Sequence, residues 1–217
     1  MNNLSTLQQI AVWSLPILLA ITVHEFAHGW VALKLGDQTA KMLGRLTLNP
    51  LKHIDPIGTV VVPVALLLIG GFIFGWAKPV PIGWKNLKNP KRDIALVALA
   101  GPMANLFMAI LWALVWRIGV ELTATTSWLG MPLAYMGAAG VMINTILLVL
   151  NLLPLPPLDG GRILTSLLPN RLSDKVDRLE PYGLVILLVL MFTGYLGMVL
   201  YPAIGFVQTG IFSLFGR

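Results

Sequence analysis

The sequence contains no cysteine and few charged side chains, and both absences restrict what the protein can be. Without cysteine, the chain has no disulfide framework and no cysteine-ligated metal site. Only 11% of the 217 residues are charged, under half of the roughly 25% found in typical soluble domains. A soluble all-helical protein is therefore the weaker alternative to a membrane protein.

Charge-free stretches divide the chain into segments long enough to cross a bilayer, which takes about 20 mostly apolar residues. The stretches are Pro56–Ala77, Ile94–Trp116, Leu122–Leu158 and Pro181–Gly216. They predict an all-α polytopic membrane protein with about five transmembrane helices. These helices are expected near residues 7–35, 93–120, 133–150, 183–200 and 203–215, with a short helix after Asp159.

The net charge of +6 would suggest a nucleic-acid ligand in a soluble chain. Here the Lys and Arg residues lie in short loops between apolar runs, where they report orientation in the membrane. We therefore expect no nucleic-acid partner. The N-terminus lacks the basic region of a cleaved signal peptide, and the chain has no internal repeat, so residues 1–217 are predicted to form one membrane domain.

Residues 24–28 read HEFAH inside an apolar run. On a helix, His24 and His28 share one face and can bind the same metal ion, with Glu25 beside them to act on water. Zinc is the expected metal, because two histidines and a carboxylate leave its fourth position open. With three His and three Glu in the chain, a chance match has a probability of roughly 6 in 10,000. Ionisable residues in a membrane segment usually serve function, so an ordinary pair of core histidines is disfavoured.

A third metal ligand has to come from elsewhere in the chain. Asp159 is the best candidate, because it is the only acidic residue between Glu121 and Asp174 and follows the proline-broken end of an apolar helix. Aspartate also suits a helix N-cap, and two glycines follow it, so a capping role is the alternative. His53 lies in a turn-rich loop, where a structural role is favoured over metal binding.

Three motifs stand out along the chain: HEFAH in the first helix, AGPMAN at the start of a later one and NLLPLPPLDGG at the end of another. Together they resemble the site-2 protease family of intramembrane zinc metalloproteases. The resemblance extends from about Thr22 to Arg162. The stretches GRLTLNPLKHIDPIGT and GWAKPVPI are similar to those of small prokaryotic members, and the chain lacks the PDZ and CBS domains of larger ones.

This resemblance implies that one zinc ion per chain is bound by His24, His28 and Asp159. Glu25 matches the catalytic glutamate of the family. Asn151 matches the asparagine of the pattern N-x-x-P-x-x-x-L-D-G. Its side-chain amide can donate to the oxyanion formed when water attacks a peptide bond. The alternative for Asn151 is a cap on the end of its helix.

The implied function is zinc-dependent hydrolysis of peptide bonds in transmembrane proteins, within or near the lipid bilayer of a prokaryotic inner membrane. Short membrane-associated strands within residues 45–49 and 77–82 are expected to hold the unwound substrate by β-augmentation. The catalytic core is predicted at about 7–168 and the C-terminal helices at 183–215. A metal-ion transporter would need more polar residues along its path. A catalytically silent scaffold is disfavoured by the intact Glu25.

The metal site also predicts topology. The helices that carry HEFAH and precede Asp159 must end on the same side of the membrane to share one ion. The segment Ile57–Phe74 then cannot cross, and we expect it to be re-entrant, turning near Gly70-Gly71. This arrangement places 13 of the 15 basic residues on the side of the zinc site, which the positive-inside rule makes cytoplasmic.

Overall fold

Helices form the framework of the structure, a computed structural model that describes residues 4–62, 65 and 75–216. Within these ranges, all regular secondary structure is helical. The helices are α1 (Thr6–Lys34), α2 (Thr39–Met42), α3 (Pro90–Thr123), α4 (Ser127–Asn151), α5 (Asp159–Leu167), α6 (Asn170–Asp177), α7 (Glu180–Phe192) and α8 (Tyr195–Ser213). Single 3-10 turns at Pro50–Lys52 and Trp84–Asn86 and a π-helical segment at Pro56–Val61 lie between α2 and α3.

Four of the described helices are long and apolar enough to cross a membrane, namely α1, α3, α4 and α8. This agrees with the predicted all-α membrane class, with four candidate crossings where about five were expected. The first three of them match the predicted helices closely, and α5 matches the short helix predicted after Asp159.

The C-terminal helices differ from the prediction, which placed them at 183–200 and 203–215. The break comes earlier, at Gly194, whose φ is +80°, and Pro202 lies inside α8. Glycine adopts this left-handed conformation without steric cost, whereas membrane helices tolerate an internal proline. With 13 residues, α7 is about 20 Å long, short of the roughly 30 Å hydrocarbon core of a bilayer.

Helix α1 carries the HEFAH motif near its C-terminal end. It begins with a capping box, in which the Ser5 hydroxyl accepts from Gln8 N and the Gln8 side chain accepts from Ser5 N. It ends before Gly36, whose φ of +116° turns the chain away. These two boundaries fix the length of the helix and leave its last turns, with both histidines, next to the following loops.

Helices α3 and α4 form a hairpin through the three-residue turn 124–126. Their backbones approach closely because glycine lies at the crossing points. A Cβ built on Gly119 would lie 2.3 Å from Ala134 N, and one built on Gly137 would lie 2.3 Å from Trp116 N. Small residues allow such close packing between membrane helices. Helix α1 packs against both members of the hairpin, which places its histidine face against α3.

The loops before and after the expected re-entrant segment contact each other. Lys78 N donates to His53 O at 2.9 Å, and Trp76 N donates to Gly58 O at 3.0 Å. The two ends of the segment therefore lie side by side. Residues 63–64 and 66–74 lie outside the described residues, and the predicted turn at Gly70-Gly71 lies with them.

The segments predicted as short strands, residues 45–49 and 77–82, form no strand in the structure. Two prolines in the second segment have no N–H group to donate to a β-ladder. The N–H groups of Lys78 and Val80 already donate to partners within the protein. No backbone donor is therefore left between residues 78 and 81 for pairing with a substrate strand.

Candidate metal and catalytic site

The three predicted metal ligands come together in the structure. The Nε2 atoms of His24 and His28 are 3.0 Å apart. Each lies 3.3 Å from the Oδ2 atom of Asp159. Both histidines are buried and Asp159 is half-buried. Among the described residues, this is the one group of three histidine or acidic side chains that can hold a metal ion.

Asp159 reaches the histidines because the chain reverses sharply after α4. The proline-rich sequence after Asn151 prevents the helix from continuing. Glycine at 160 then allows close contact with the reversed chain, since a Cβ there would lie 2.3 Å from Leu153 O. Leu158 is the N-cap of α5, and Asp159 is its first helical residue. The carboxylate therefore does not cap the helix and faces the histidines instead.

Each imidazole is oriented by a hydrogen bond from its other ring nitrogen. His28 Nδ1 donates to Val97 O at 2.7 Å, and His24 Nδ1 lies 2.6 Å from Asn105 Oδ1. A carbonyl oxygen can only accept, so the proton of His28 lies on Nδ1. This arrangement leaves the Nε2 lone pair free to bind a metal, as is usual for metal-ligating histidines.

The Asn105 amide is itself fixed by two neighbours. Its Nδ2 atom donates to Asn144 Oδ1 at 3.0 Å and to Ala20 O at 3.3 Å. Asn144 in turn donates to Gly140 O at 2.9 Å. Because both donors of Asn105 are used, its oxygen is the atom presented to the His24 ring. The tautomer of His24 therefore matches that of His28.

These residues fit a zinc ion. Two nitrogen lone pairs and a carboxylate oxygen converge with no donor between them, and Asp159 Oδ2 is buried without a hydrogen-bond partner. Such a cluster of acceptors is unfavourable unless a cation is present. A tetrahedral zinc with bonds of about 2.0–2.1 Å holds its ligand atoms about 3.3 Å apart. The spacings of 3.0 and 3.3 Å agree with that requirement.

Two residues of the AGPMAN motif belong to the site, although the sequence predicted no chemical role for either of them. Gly101 leaves room for the imidazoles, since a Cβ there would lie 2.4 Å from His28 Nε2 and 2.5 Å from His24 Cε1. Asn105 lies one turn later on the same face of α3. A glycine and an asparagine four residues apart within an apolar helix was the signal that could have identified them.

Glu25 lies next to the metal group and is half-buried. Its Oε2 atom accepts a hydrogen bond from Val80 N at 2.7 Å. This contact joins the HEFAH helix to the loop that precedes α3. One oxygen of the carboxylate is thus fixed in position by the backbone of that loop.

The remaining candidates have structural contacts. Asn151 Nδ2 donates to Leu147 O at 3.0 Å, one turn back in α4, which is the bond expected of a helix-end asparagine. His53 is buried, and its Nε2 lies 2.9 Å from Thr47 O. It is not a member of the metal group, which agrees with the structural role favoured from the sequence. The oxyanion role of Asn151 stays a prediction.

Comparison with known proteins gives one consistent family. The sequence profile of Peptidase family M50 matches residues 12–126 and 118–193. YwhC of Bacillus subtilis (strain 168), by its name a candidate zinc metalloprotease, is 40% identical over 203 residues, which cover 92% of this chain and 88% of that protein. Rip2 of Mycolicibacterium smegmatis, similarly named, is 34% identical over 185 residues, covering 85% of this chain and 66% of Rip2.

A more distant relative is the regulator of sigma-E protease RseP of Escherichia coli (strain K12). It is 34% identical over 125 residues, which cover 54% of this chain and 27% of RseP. No solved structure matches the chain. The profile match spans most of the sequence, and the relatives agree with it, so this protein belongs to Peptidase family M50, the site-2 protease family.

Proposed function

We propose that this protein is a zinc-dependent endopeptidase that cleaves transmembrane proteins or peptides within or near the bilayer of a prokaryotic inner membrane. The observation that carries the proposal is the convergence of His24, His28 and Asp159, with Glu25 beside them. The histidines and the glutamate lie on a helix long enough to span the membrane. Family membership supports the same chemistry.

The metal site assigns separate tasks to the residues around it. His24, His28 and Asp159 would hold one zinc ion per chain. Zinc bound there supplies a Lewis acid that polarises a carbonyl group and makes water nucleophilic at neutral pH. Asn105 and the carbonyl of Val97 keep both imidazoles in the orientation and tautomer that binding requires.

Glu25 is proposed to transfer a proton from the attacking water to the leaving amine. Its carboxylate takes a proton from the attacking water as the new C–O bond forms. It then gives that proton to the amide nitrogen as the C–N bond breaks, which leaves a carboxylic acid and an amine. Asn151 is proposed to stabilise the oxyanion between these steps. Because one donor contact of its amide is made with Leu147 O, the second amide hydrogen would serve the substrate.

The topology that we propose has the N-terminus outside and the metal site near the cytoplasmic surface. The proposal places both ends of segment 57–74 on that cytoplasmic side, an arrangement supported by the contacts between residues 53–59 and 76–78. The same arrangement keeps 13 of the 15 basic residues on the cytoplasmic side.

The chain is proposed to act as one domain, with its catalytic core at about 7–168 and its C-terminal helices at 183–215. A polar contact supports the attachment of the last helix to the core. Gln208 Nε2 on α8 donates to Thr145 Oγ1 on α4 at 3.1 Å. Among the described residues there is no second metal-ligand group along the helices, which gives a metal-ion transporter no support.

The decisive experiment compares the membrane proteomes of cells that contain the intact protein and cells that contain Glu25→Gln. The amide of glutamine cannot accept the proton of water, so substrates should accumulate uncut in the variant while its zinc content is unchanged. Identical membrane proteomes, together with normal cleavage of a transmembrane peptide by purified Glu25→Gln, would overturn the proposal.

A further inference from the structure

The contact between Glu25 and Val80 joins residues far apart in the sequence. Val80 lies between Pro79 and Pro81, so it has the only N–H group in this stretch of three residues. That N–H donates to Glu25 Oε2 at 2.7 Å. The backbone of the loop before α3 thus holds the carboxylate that the proposed function uses for proton transfer.

The Val80 side chain packs against α1 at Gly29. Val80 is 5% exposed, and a Cβ built on Gly29 would lie only 2.9 Å from its Cγ1 atom. Gly29 follows the HEFAH motif and lies one turn after Glu25 on the same helix. The missing side chain of Gly29 therefore lets the loop approach α1 closely enough for the Val80 N–H to reach Glu25.

The loop is fixed on both sides of Val80. On one side, Arg45 Nη2 donates to Lys78 O at 3.1 Å and to Pro79 O at 3.2 Å. On the other, Gly83 N donates to Asp37 Oδ2 at 2.8 Å. We call residues 78–83 the strap. Arg45 and Asp37 each hydrogen-bond the strap, whereas the contact of the strap with Glu25 is made by Val80.

Asp37 is suited to fixing the strap because it is a buried acceptor, 1% exposed. Its Oδ1 atom accepts from Thr39 N, Thr39 Oγ1 and Asn86 Nδ2, and its Oδ2 atom accepts from Gly83 N. Burial alone would raise the pKa of Asp37, but hydrogen bonds from Asn86, Thr39 and Gly83 outweigh it and hold the pKa below its usual value. The carboxylate is therefore ionised at neutral pH and accepts from all of these donors.

We propose that the strap positions Glu25 for proton transfer, and that Asp37, Gly29 and Arg45 are positioning residues that act through Val80. This inference rests on the proposed function of Glu25. A glutamate side chain has several free rotations, and fixing one oxygen restricts them before substrate binds. Oε2 is held by Val80, and Oε1 is left to exchange the proton. Such preorganisation raises the rate of the chemical step rather than substrate affinity.

Hydrogen exchange of the Val80 amide tests the contact without any need for activity. Pro79 and Pro81 have no amide hydrogen, so Val80 is the only reporter among residues 79–81 and can be resolved by mass spectrometry with electron-transfer fragmentation. In the full-length protein in nanodiscs we expect slow exchange. Glu25→Ala and Asp37→Asn should speed it at least tenfold, the scale of one charged hydrogen bond.

Asp37→Asn is informative because its amide would face the N–H of Gly83, so that two donors meet. Asp93→Asn is the matched control. Asp93 is also 1% exposed and accepts from a backbone N–H, that of Asn89, but it does not touch the strap. Its variant should leave Val80 exchange unchanged. An exchange rate for Val80 in Glu25→Ala equal to that of the wild type would overturn the inference.

Kinetics test the consequence for catalysis, with a labelled single-span transmembrane peptide in proteoliposomes as the substrate. Gly29→Ala and Asp37→Asn should each lower kcat at least tenfold, while KM and zinc content stay near wild-type values. The double variant Gly29→Ala/Val80→Ala should recover most of kcat, because it removes the clash and keeps the N–H. Asp93→Asn should keep its kcat.

The outcomes separate the two proposals. If the wild-type protein cleaves no transmembrane peptide, the proposed function fails, and hydrogen exchange still decides whether the strap holds Glu25. If cleavage is normal and Asp37→Asn frees the Val80 amide without lowering kcat, the strap has no part in proton transfer and the inference alone is overturned.

Discussion

His24 Nδ1 lies 2.6 Å from Asn105 Oδ1, a contact that joins the first membrane helix to the next long one. The asparagine is fully buried, and its amide nitrogen is used by Ala20 O and Asn144 Oδ1. Its oxygen is therefore directed at the histidine. Partners of this kind fix the tautomer and angle of a ligating imidazole and contribute to metal affinity.

The first prediction is that Asn105→Ala lowers zinc affinity by about 10- to 100-fold, the usual effect of losing a partner of a metal ligand. Zinc competition with a chromogenic chelator measures this directly. Gln208→Leu is the control, because Gln208 also makes a polar contact between helices, but its partner is Thr145 rather than Asn105 or a metal ligand. Wild-type zinc affinity in Asn105→Ala would show that the contact does not orient His24.

The second prediction concerns Gly101, which lies against both imidazoles. In Gly101→Ala, the new methyl group would start 2.4 Å from His28 Nε2, so the rings must move apart and most zinc should be lost. Gly205→Ala makes the same change where nothing lies within 4 Å, and it should bind zinc normally. Elemental analysis of the two purified proteins makes the comparison. Full zinc in both would mean that the packing around the site is looser than the structure indicates.

The sequence predicts the candidate metal ligands better than it predicts the residues that position them and Glu25. His24 and His28 follow from their spacing on one helix face, and Asp159 stands out as an isolated acid after a broken helix. Each signal is local or depends on a rare residue type. Gly101 and Val80 act through contacts that exist only once separate segments pack together.

The difference between local sequence patterns and long-range contacts also explains which parts of the fold were predicted correctly. Long apolar runs predict α1, α3 and α4, because the pattern lies within each helix. The C-terminal break was misplaced because both Gly194 and Pro202 can interrupt a helix, and membrane packing tolerates the proline. The strand predicted near residues 77–82 does not form, because the N–H groups of Lys78 and Val80 donate to His53 O and Glu25 Oε2. The sequence pattern does not reveal these long-range partners.

The third prediction is that the purified protein carries one zinc per chain and that each predicted ligand is needed to hold it. His24→Ala and His28→Ala should lose most of the metal, and Asp159→Ala should bind it more weakly, because each variant removes one of three convergent donors. Elemental analysis after dialysis gives the stoichiometry. Full zinc in the double histidine variant would place the metal somewhere else.

The fourth prediction separates the two roles considered for Asn151. As an oxyanion donor, it should be dispensable for zinc but not for rate, so Asn151→Ala should keep its metal and lose about 10²- to 10³-fold in kcat. A role limited to the contact with Leu147 O would instead reduce stability by about 1 kcal/mol, the usual net contribution of one hydrogen bond, and leave kcat near the wild-type value. Single-turnover cleavage and thermal unfolding of the same preparation distinguish these results.

The last prediction concerns topology, and the absence of cysteine makes it direct to test. The metal site requires α1 and α4 to end on one side, and α3 runs the opposite way between them. The contacts of residues 53–59 with 76–78 keep both ends of the undescribed segment on that same side. By the positive-inside rule, the excess of basic residues in these loops predicts that this is the cytoplasmic side.

Single cysteines at exposed positions report this arrangement in intact cells. Lys41→Cys, Lys88→Cys and Lys175→Cys should all resist a membrane-impermeant thiol reagent, and Thr125→Cys, in the turn between α3 and α4, should react. All four positions are exposed in the structure, so failure to label means protection by the membrane and not burial within the protein. Labelling after permeabilisation confirms that each thiol is reactive. Ready labelling at position 88 from outside would mean that residues 57–74 cross the bilayer. In that case His24 and His28 near the end of α1 would be separated by the bilayer from Asp159 after α4, and the three could not share one ion.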